Sequence, residues 1–171
     1  IGQGLIHGEG LNSGFNRFAP TESERYKDGG PGSGNKAIAL RECRNVILRD
    51  FSILHGGHFG ILATGVDNML IDNLKIDTNR DGMDIDCCQN VRITNCSVNS
   101  PWDDGICLKA SYGLGKIRHC DNITISDCYL AGNFDEGTLL DGTFKRSAPE
   151  YKSYKTCLLY TSDDADEGLG V

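Results

Sequence analysis

A repeat of about 22 residues constrains this chain more than any other feature of its sequence. One apolar segment begins with Asn and recurs at spacings of 23, 22 and 32 residues. A second apolar segment recurs in step with it, at spacings of 23, 22, 23 and 32 residues. The copies of the first begin at Asn45, Asn68, Asn90 and Asn122, and those of the second begin at Ala37, Gly60, Gly82, Gly105 and Gly137. Chance self-similarity would not give two series that agree.

Short strands with this period favour an all-β solenoid. One coil cannot bury its apolar face alone, so stacked coils must share a core. The Leu-x-x-Leu-x-Leu frame of leucine-rich repeats is absent from the sequence. We therefore predict a right-handed parallel β-helix whose strands alternate inward and outward side chains. The inward columns include Ile61, Met83 and Ile106, and also Val46, Met69, Val91 and Ile123. We expect the aligned asparagines to form a turn ladder, since Asn tolerates left-handed geometry.

Charge and cysteine usage exclude several classes of function. The net charge is −7 and the pI is about 5.0, so no basic stripe is available for a nucleic-acid partner. No apolar run approaches the roughly 18 residues of a membrane span. The eight cysteines do not form paired Cys-x-x-Cys motifs with zinc spacing. We expect buried free thiols, no metal and no cofactor.

Two acidic motifs occupy the same position in consecutive repeats. Gly82 and Gly105 are 23 residues apart, and Asp81 and Asp104 precede them, with Asp103 one residue further back. Stacked coils lie about 4.8 Å apart, which would make Asp81 and Asp104 near neighbours. Repulsion among three carboxylates should raise the pKa of at least one of them. One protonated and one ionised carboxyl beside a sugar linkage is what glycoside hydrolysis requires.

These motifs resemble those of glycoside hydrolase family 28. Two segments carry the resemblance, Asn79-Arg80-Asp81-Gly82 and, one coil later, Asp103-Asp104-Gly105-Ile106-Cys107-Leu108-Lys109. The opening Gly-x-Gly-x-Ile-His-Gly-Glu-Gly is also similar to the family's entry segment. The family comprises polygalacturonases and related pectin hydrolases on right-handed parallel β-helices. The resemblance implies that Asp103 is the general acid and that Asp81 and Asp104 hold and activate water in an inverting reaction. Asn79 corresponds to the family's Asn, and Arg80 replaces its Thr.

The resemblance also implies a substrate, a location and a chain length. The substrate would be an acidic plant cell-wall polysaccharide, and the location would be extracellular or periplasmic. The complete enzyme would act as a monomer, with no nucleic-acid or membrane partner. In the family, the His of a later Gly-His-Gly segment supports the catalytic Asp, and an Arg-Ile-Lys segment grips the substrate carboxylate; neither segment occurs in this sequence. We therefore expect 1–156 to be a partial catalytic β-helix, incomplete at its C-terminal end and lacking much of the substrate clamp.

The last residues, 157–171, have no counterpart in the repeats. They resemble the translation of a transposon-type sequencing adapter. We expect them to be a non-native tail.

Five further residues are candidates for substrate binding, with alternatives left open. Asn79 comes from the resemblance, and Asp84 points outward on the strand that follows Asp81. His58 lies either near the cleft or in an ordinary loop. Lys109 either meets a uronate carboxylate or forms an ion pair with Asp86 or Asp141. Trp102 either stacks on a sugar ring or covers a coil corner.

Two other functions fit the same fold. A pectate lyase would hold calcium with carboxylate oxygens and would release an unsaturated product that absorbs in the ultraviolet. The carboxylates available for that ion are Asp81, Asp84, Asp86, Asp103 and Asp104. A non-catalytic carbohydrate-binding β-helix has no reason to keep three acids in register beside a Trp.

Overall fold

The computed structural model describes residues 1–8, 11, 35–78, 81–100, 104–131, 134–136 and 145–146. These residues contain strands and one 3-10 helical turn, and no α-helix. The strands are β1 (Leu5–His7), β2 (Lys36–Arg41), β3 (Arg44–Arg49), β4 (Ser52–Leu54), β5 (Phe59–Thr64), β6 (Asp67–Asp72), β7 (Lys75–Asp77), β8 (Asp81–Asp86), β9 (Gln89–Thr94), β10 (Ser97–Asn99), β11 (Ile106–Lys109), β12 (Asp121–Ser126), β13 (Tyr129–Ala131), β14 (Phe134–Glu136) and β15 (Lys145–Arg146).

Three parallel sheets form the body of the molecule. Sheet A has the order β1-β4-β7-β10-β13, sheet B has β2-β5-β8-β11, and sheet C has β3-β6-β9-β12. Each strand therefore pairs with the strand three places later, so consecutive strand triplets stack as coils. The remaining pair, β14 and β15, is antiparallel. The predicted all-β parallel solenoid is confirmed.

The core consists of the predicted inward columns. Ile61, Met83 and Ile106 are in register on sheet B and fully buried. On sheet C the register joins Val46 to Met69, Met69 to Val91, and Val91 to Ile123. Apolar burial stabilises the fold by about 25 cal/mol per Å², so these stacked side chains hold the coils together.

Sheet A was not predicted as a separate sheet. Its strands are three residues long, too short for an alternating pattern to be visible. Each contributes one buried apolar residue in register with the next: Ile53, Ile76 and Val98. This third column closes the triangular core.

The aligned asparagines form the predicted turn ladder. Asn45, Asn68, Asn90 and Asn122 all have φ between 55° and 58°. The Asn68 Nδ2 donates to Asn45 Oδ1 at 3.2 Å, and the Asn122 Nδ2 donates to Asn90 Oδ1 at 2.7 Å. The side chains therefore link coils as well as tolerating the left-handed backbone.

The insertion in the fourth coil folds back over earlier coils. Ser111 caps a 3-10 turn at Tyr112–Leu114 by accepting a hydrogen bond from Gly113 N. Arg41 donates to the carbonyl oxygens of Gly113 and Leu114. The insertion is thereby anchored to the first described coil, along one edge of sheet B.

Some sequence predictions lie outside the described residues. They are the fifth copy of the second segment, at 137–140, and the boundary at 156 with the tail at 157–171. In the part of the chain that the structure does describe, no helix is long and apolar enough to cross a membrane.

Candidate active site

Asp81 and Asp104 occupy the same position on adjacent coils of sheet B. Gly82 N donates to Asp104 O at 2.8 Å, and Met83 N donates to Gly105 O at 2.9 Å. Only 3% of Asp81 and 5% of Asp104 is exposed. The structure thus brings these two acids together, as their register in the sequence predicts. Three other candidates, Asn79, Trp102 and Asp103, lie outside the described residues.

The glycine after each acid allows this close stacking. A Cβ at Gly82 would lie 2.3 Å from Val98 Cγ1 and 2.4 Å from Gly105 O, closer than any real side chain allows. Gly60 meets the same limit one coil earlier, with Gly82 O at 2.7 Å. Glycine is therefore required here by the neighbouring backbone, and it fixes where each preceding residue leaves the coil.

Asp81 lies at the outer side of sheet B, although alternation alone would place it inward with Met83. Its Oδ2 is 3.7 Å from the Nζ of Lys109, an outward residue of β11. The same Nζ is 2.7 Å from Asp84 Oδ2. Asp84 is 1% exposed, whereas 37% of the Lys109 side chain is exposed. One ammonium group therefore serves two buried carboxylates.

Of the alternatives left open for Lys109, an ion pair with Asp86 does not form; the ammonium group lies against Asp84 and Asp81 instead. Lys109 is in register with Asp86, but both carboxylate oxygens of Asp86 are used by Ser111. Ser111 donates from its backbone N to Oδ1 and from its Oγ to Oδ2, each at 2.8 Å. Lys109 therefore reaches diagonally to Asp84, and Asp86 anchors the insertion. Asp141, the other partner considered, lies outside the described residues.

The carboxylates determine the charge state of Lys109. Burial alone would lower the pKa of its ammonium group, but the attraction of Asp84 and Asp81 outweighs burial and raises that pKa above the usual value. Lys109 is therefore a permanent cation near neutral pH.

An aromatic residue and a second cation extend the site by two coils. Phe59 is in register with Asp81, and Lys36 is in register with Phe59. The Nζ atoms of Lys36 and Lys109 lie 5.4 and 5.8 Å from the Phe59 ring centroid. Neither residue was predicted as part of the site from the sequence. The signal was their repeat position, because Phe59 precedes Gly60 as Asp81 precedes Gly82.

His58 lies beside this column and is buried. Its ring stacks on Phe59 at 4.2 Å with an interplanar angle of 10°. Its carbonyl oxygen accepts a hydrogen bond from Asp81 N at 3.0 Å. His58 thus lies in the turn before β5, with its peptide carbonyl next to Asp81.

Cys107 shares the outer face with the acids. It is in register with Asp84 and is 1% exposed. Burial raises the pKa of its thiol; the Lys109 charge opposes this, while Asp84 and Asp104 add to it. A protonated thiol is a poor nucleophile, so Cys107 packs as a small apolar residue.

The other thiols among the described residues are free as well, and several are buried. Burial raises the pKa of Cys88 and of Cys96 to about 11. The prediction of buried free thiols is confirmed for this part of the chain.

A second concave surface lies away from the carboxylates. It follows the asparagine ladder on sheet C and is lined by Asn45, Asn68, Asn90 and Asn122 with their strand neighbours.

In the described ranges, no group of three His, Cys, Asp or Glu residues has the arrangement to hold a metal ion.

Comparison with known proteins agrees with the fold. Searches of curated proteins and of solved structures give no significant match. A model of the right-handed β-helix region matches residues 21–148, which is most of the chain. The protein therefore belongs to the right-handed β-helix family.

Proposed function

We propose that this protein hydrolyses glycosidic bonds in a pectin-type polysaccharide, galacturonan or rhamnogalacturonan, by an inverting acid/base mechanism. One observation carries the proposal: Asp81 and Asp104 are stacked in register and almost fully buried on adjacent coils. Burying carboxylates on adjacent coils costs stability, and such clusters of buried acids are typical of functional sites. The β-helix fold is shared by glycoside hydrolases and lyases, which is compatible with such a site.

The mechanism assigns different roles to three acids. An inverting hydrolase needs one carboxylic acid to protonate the leaving oxygen and one carboxylate to activate water on the opposite face of the sugar. Asp81, next to the Lys109 ammonium, suits the ionised role. Asp104 would share the water with Asp81. Asp103, by its resemblance to the family motif, would supply the proton.

An acidic substrate suits the charges around the acids. Lys36 lies in the column of Phe59 and Lys109 in the column of Asp86, and the Nζ atoms of both lysines lie within 6 Å of the Phe59 ring centroid. This face therefore combines an aromatic ring with positive charge. A uronate residue presents an apolar ring face and a carboxylate, which such a surface can meet. A plant cell-wall polymer as partner would place the protein outside the cytoplasm, extracellular or periplasmic.

Calcium-dependent elimination fits this geometry less well. A lyase of that kind would need the carboxylate oxygens of Asp81 and Asp84 for a hard cation. The ammonium of Lys109 already lies against those oxygens. Lysine thus supplies the positive charge that calcium would bring.

The test is product analysis with the full chain. Galacturonan and rhamnogalacturonan are incubated with the protein, new reducing ends are counted, and the anomer first formed is identified by proton NMR. We expect the inverted anomer. The variants Asp103→Asn and Asp104→Asn should each lose turnover by about 100-fold or more while keeping the fold.

Asp127→Asn is the matched control. Asp127 is exposed in a turn with φ 54°, a geometry that Asn accepts equally well. Its turnover should equal that of the wild type. If the product is unsaturated, absorbs in the ultraviolet and no longer forms when a chelator is added, the reaction is elimination and the hydrolase proposal is wrong. Binding of the polymer without any product would make the protein a carbohydrate-binding module.

A further inference from the structure

Lys109 lies against two of the three acids of β8, Asp84 and Asp81. Its Nζ contacts Oδ2 of Asp84 at 2.7 Å and Oδ2 of Asp81 at 3.7 Å. Both carboxylates are almost completely buried, so water can screen little of their charge. A lysine so placed determines how those carboxylates titrate.

We propose that Lys109 is a positioning residue whose charge keeps Asp81 ionised, so that Asp81 acts as the base of the reaction. The inference rests on the proposed function, because it assigns a role within the same site. It also answers a question that the sequence leaves open. Lys109 serves the protein's own acids first, and a substrate carboxylate would have to compete with Asp84 for its ammonium group.

The direction in which Lys109 extends supports this assignment. The residue opposite it in the sheet is Asp86, and Ser111 has taken both oxygens of that carboxylate. The lysine is therefore directed along the face toward Asp84 and Asp81. Ser111 and the insertion that it begins thus set the orientation of Lys109, one strand away from the acids.

Lys109 also separates the roles of otherwise similar acids. Two carboxylates in register on adjacent coils repel each other, and one of them should take up a proton first. A cation fixed near Asp81 settles which carboxylate stays ionised. The proton is then left to Asp103, the acid of the proposed mechanism.

Several charged or titratable groups surround Asp81, and each must be considered in a titration. Among the described residues they are Asp84 on its own strand, Asp104, Cys107 and Lys109 from the next coil, and His58 and Lys36 from the two preceding coils. The ammonium group of Lys109 lies 3.7 Å from Asp81 Oδ2. Removing its charge should therefore change the titration of Asp81 in one direction, upward.

The experiment measures that titration directly, without requiring turnover. The full chain carries ¹³C-labelled aspartate, and the carboxyl resonance of Asp81 is followed against pH in the wild type, Lys109→Met and Lys109→Arg. We expect the Asp81 pKa to rise by about one unit or more in Lys109→Met, the size expected for loss of an adjacent opposite charge. Lys109→Arg, which keeps the charge, should return it toward the wild-type value.

Lys75→Met is the matched control, because Lys75 is an exposed lysine on sheet A. It should leave the Asp81 titration unchanged. If Lys109→Met does not fold, Lys109→Gln removes the charge while keeping a hydrogen-bond donor, and the same rise is expected. An Asp81 pKa that is equal in the wild type and in the uncharged variant would overturn the assignment.

Kinetics distinguish this failure from failure of the proposed function. In an active protein, the acidic limb of the kcat/KM profile should move to higher pH in Lys109→Met by the amount measured by NMR, and Lys109→Arg should restore it. A loss of activity with an unmoved limb would mean that Lys109 supports the structure only, and would overturn the inference. A wild type that cleaves no pectin polymer refutes the hydrolase proposal, while the NMR shift still decides whether Lys109 holds Asp81 ionised.

Discussion

Sheets B and C belong to the same coils, yet their outer faces carry different chemistry. On sheet C the outward residues Ile47 and Arg92 are exposed, and the asparagine ladder repeats with the same residue in four coils. On β8 of sheet B every residue is buried, including Asp81, Asp84 and Asp86. Buried carboxylates are costly unless ammonium groups or hydrogen bonds satisfy them, and here Lys109 and Ser111 do so.

The difference teaches where to look for a site in a repeat protein. A column that repeats one residue type, such as the asparagines, is explained by stacking alone. The outward columns of sheet B change from coil to coil: Leu62, Asp84 and Cys107 form one, and Thr64, Asp86 and Lys109 form the next. Stability alone gives no reason for that change.

The largest effect should come from breaking the glycine column that positions the acids. Gly82→Ala would place a Cβ 2.4 Å from Gly105 O and 2.3 Å from Val98 Cγ1, so the third and fourth coils must separate. We expect a loss of about 3 kcal/mol in the free energy of unfolding, measured by urea denaturation.

Gly105→Ala is the control for this prediction, because among the residues that the structure describes its Cβ would meet nothing closer than Leu130 at 3.6 Å. It should cost far less than Gly82→Ala. Equal losses in the two variants would mean that backbone entropy, and not the contact between coils, makes glycine necessary here.

A smaller effect should test whether the outer face of sheet B is a buried charged layer. Burial and the neighbouring carboxylates raise the pKa of the Cys107 thiol, so the folded protein keeps its proton where the unfolded chain, near pH 9, releases it. Cys107 therefore contributes stability that is complete below pH 9 and declines as the pH rises above it.

We expect the free energy of unfolding of the wild type, relative to that of Cys107→Ala, to fall by about 2 kcal/mol between pH 9 and pH 10.5. Urea unfolding at each pH measures it. Comparing the two proteins cancels the titration of groups that they share. A difference that stays constant with pH would show that water reaches this face of sheet B.

The fold could be predicted from the sequence because its signal is repeated. Each coil restates the same alternation of apolar residues, so the columns of Met69 and Met83 were readable without a structure. Sheet A was not readable, since strands of three residues show no period. The shortness of these strands, and not their amino-acid composition, therefore kept sheet A from being predicted.

The candidate site could be predicted only in part. The registration of Asp81 and Asp104 follows from counting residues between Gly82 and Gly105. The partner of Lys109 does not, because it depends on Ser111 in an insertion that the repeat does not describe. Alternation also fails at the first residue of a strand, where the backbone is still turning, and so it does not predict that Asp81 reaches the outer face.

The smallest effect should come from sheet C and should show that its ladder serves stability alone. Asn90 has φ 56°, and its Oδ1 accepts a hydrogen bond from Asn122 Nδ2. Asn90→Ala removes that bond and puts an alanine in the left-handed region, which should cost about 1 kcal/mol in urea unfolding. Asn90→Gly removes the bond but accepts the backbone angle, so it should cost less. If the two variants are equally destabilised, the stability of the ladder comes from the hydrogen bond between coils and not from the tolerance of Asn for the left-handed backbone. A change in pectin turnover in a folded Asn90 variant would instead contradict the division of roles between sheets B and C.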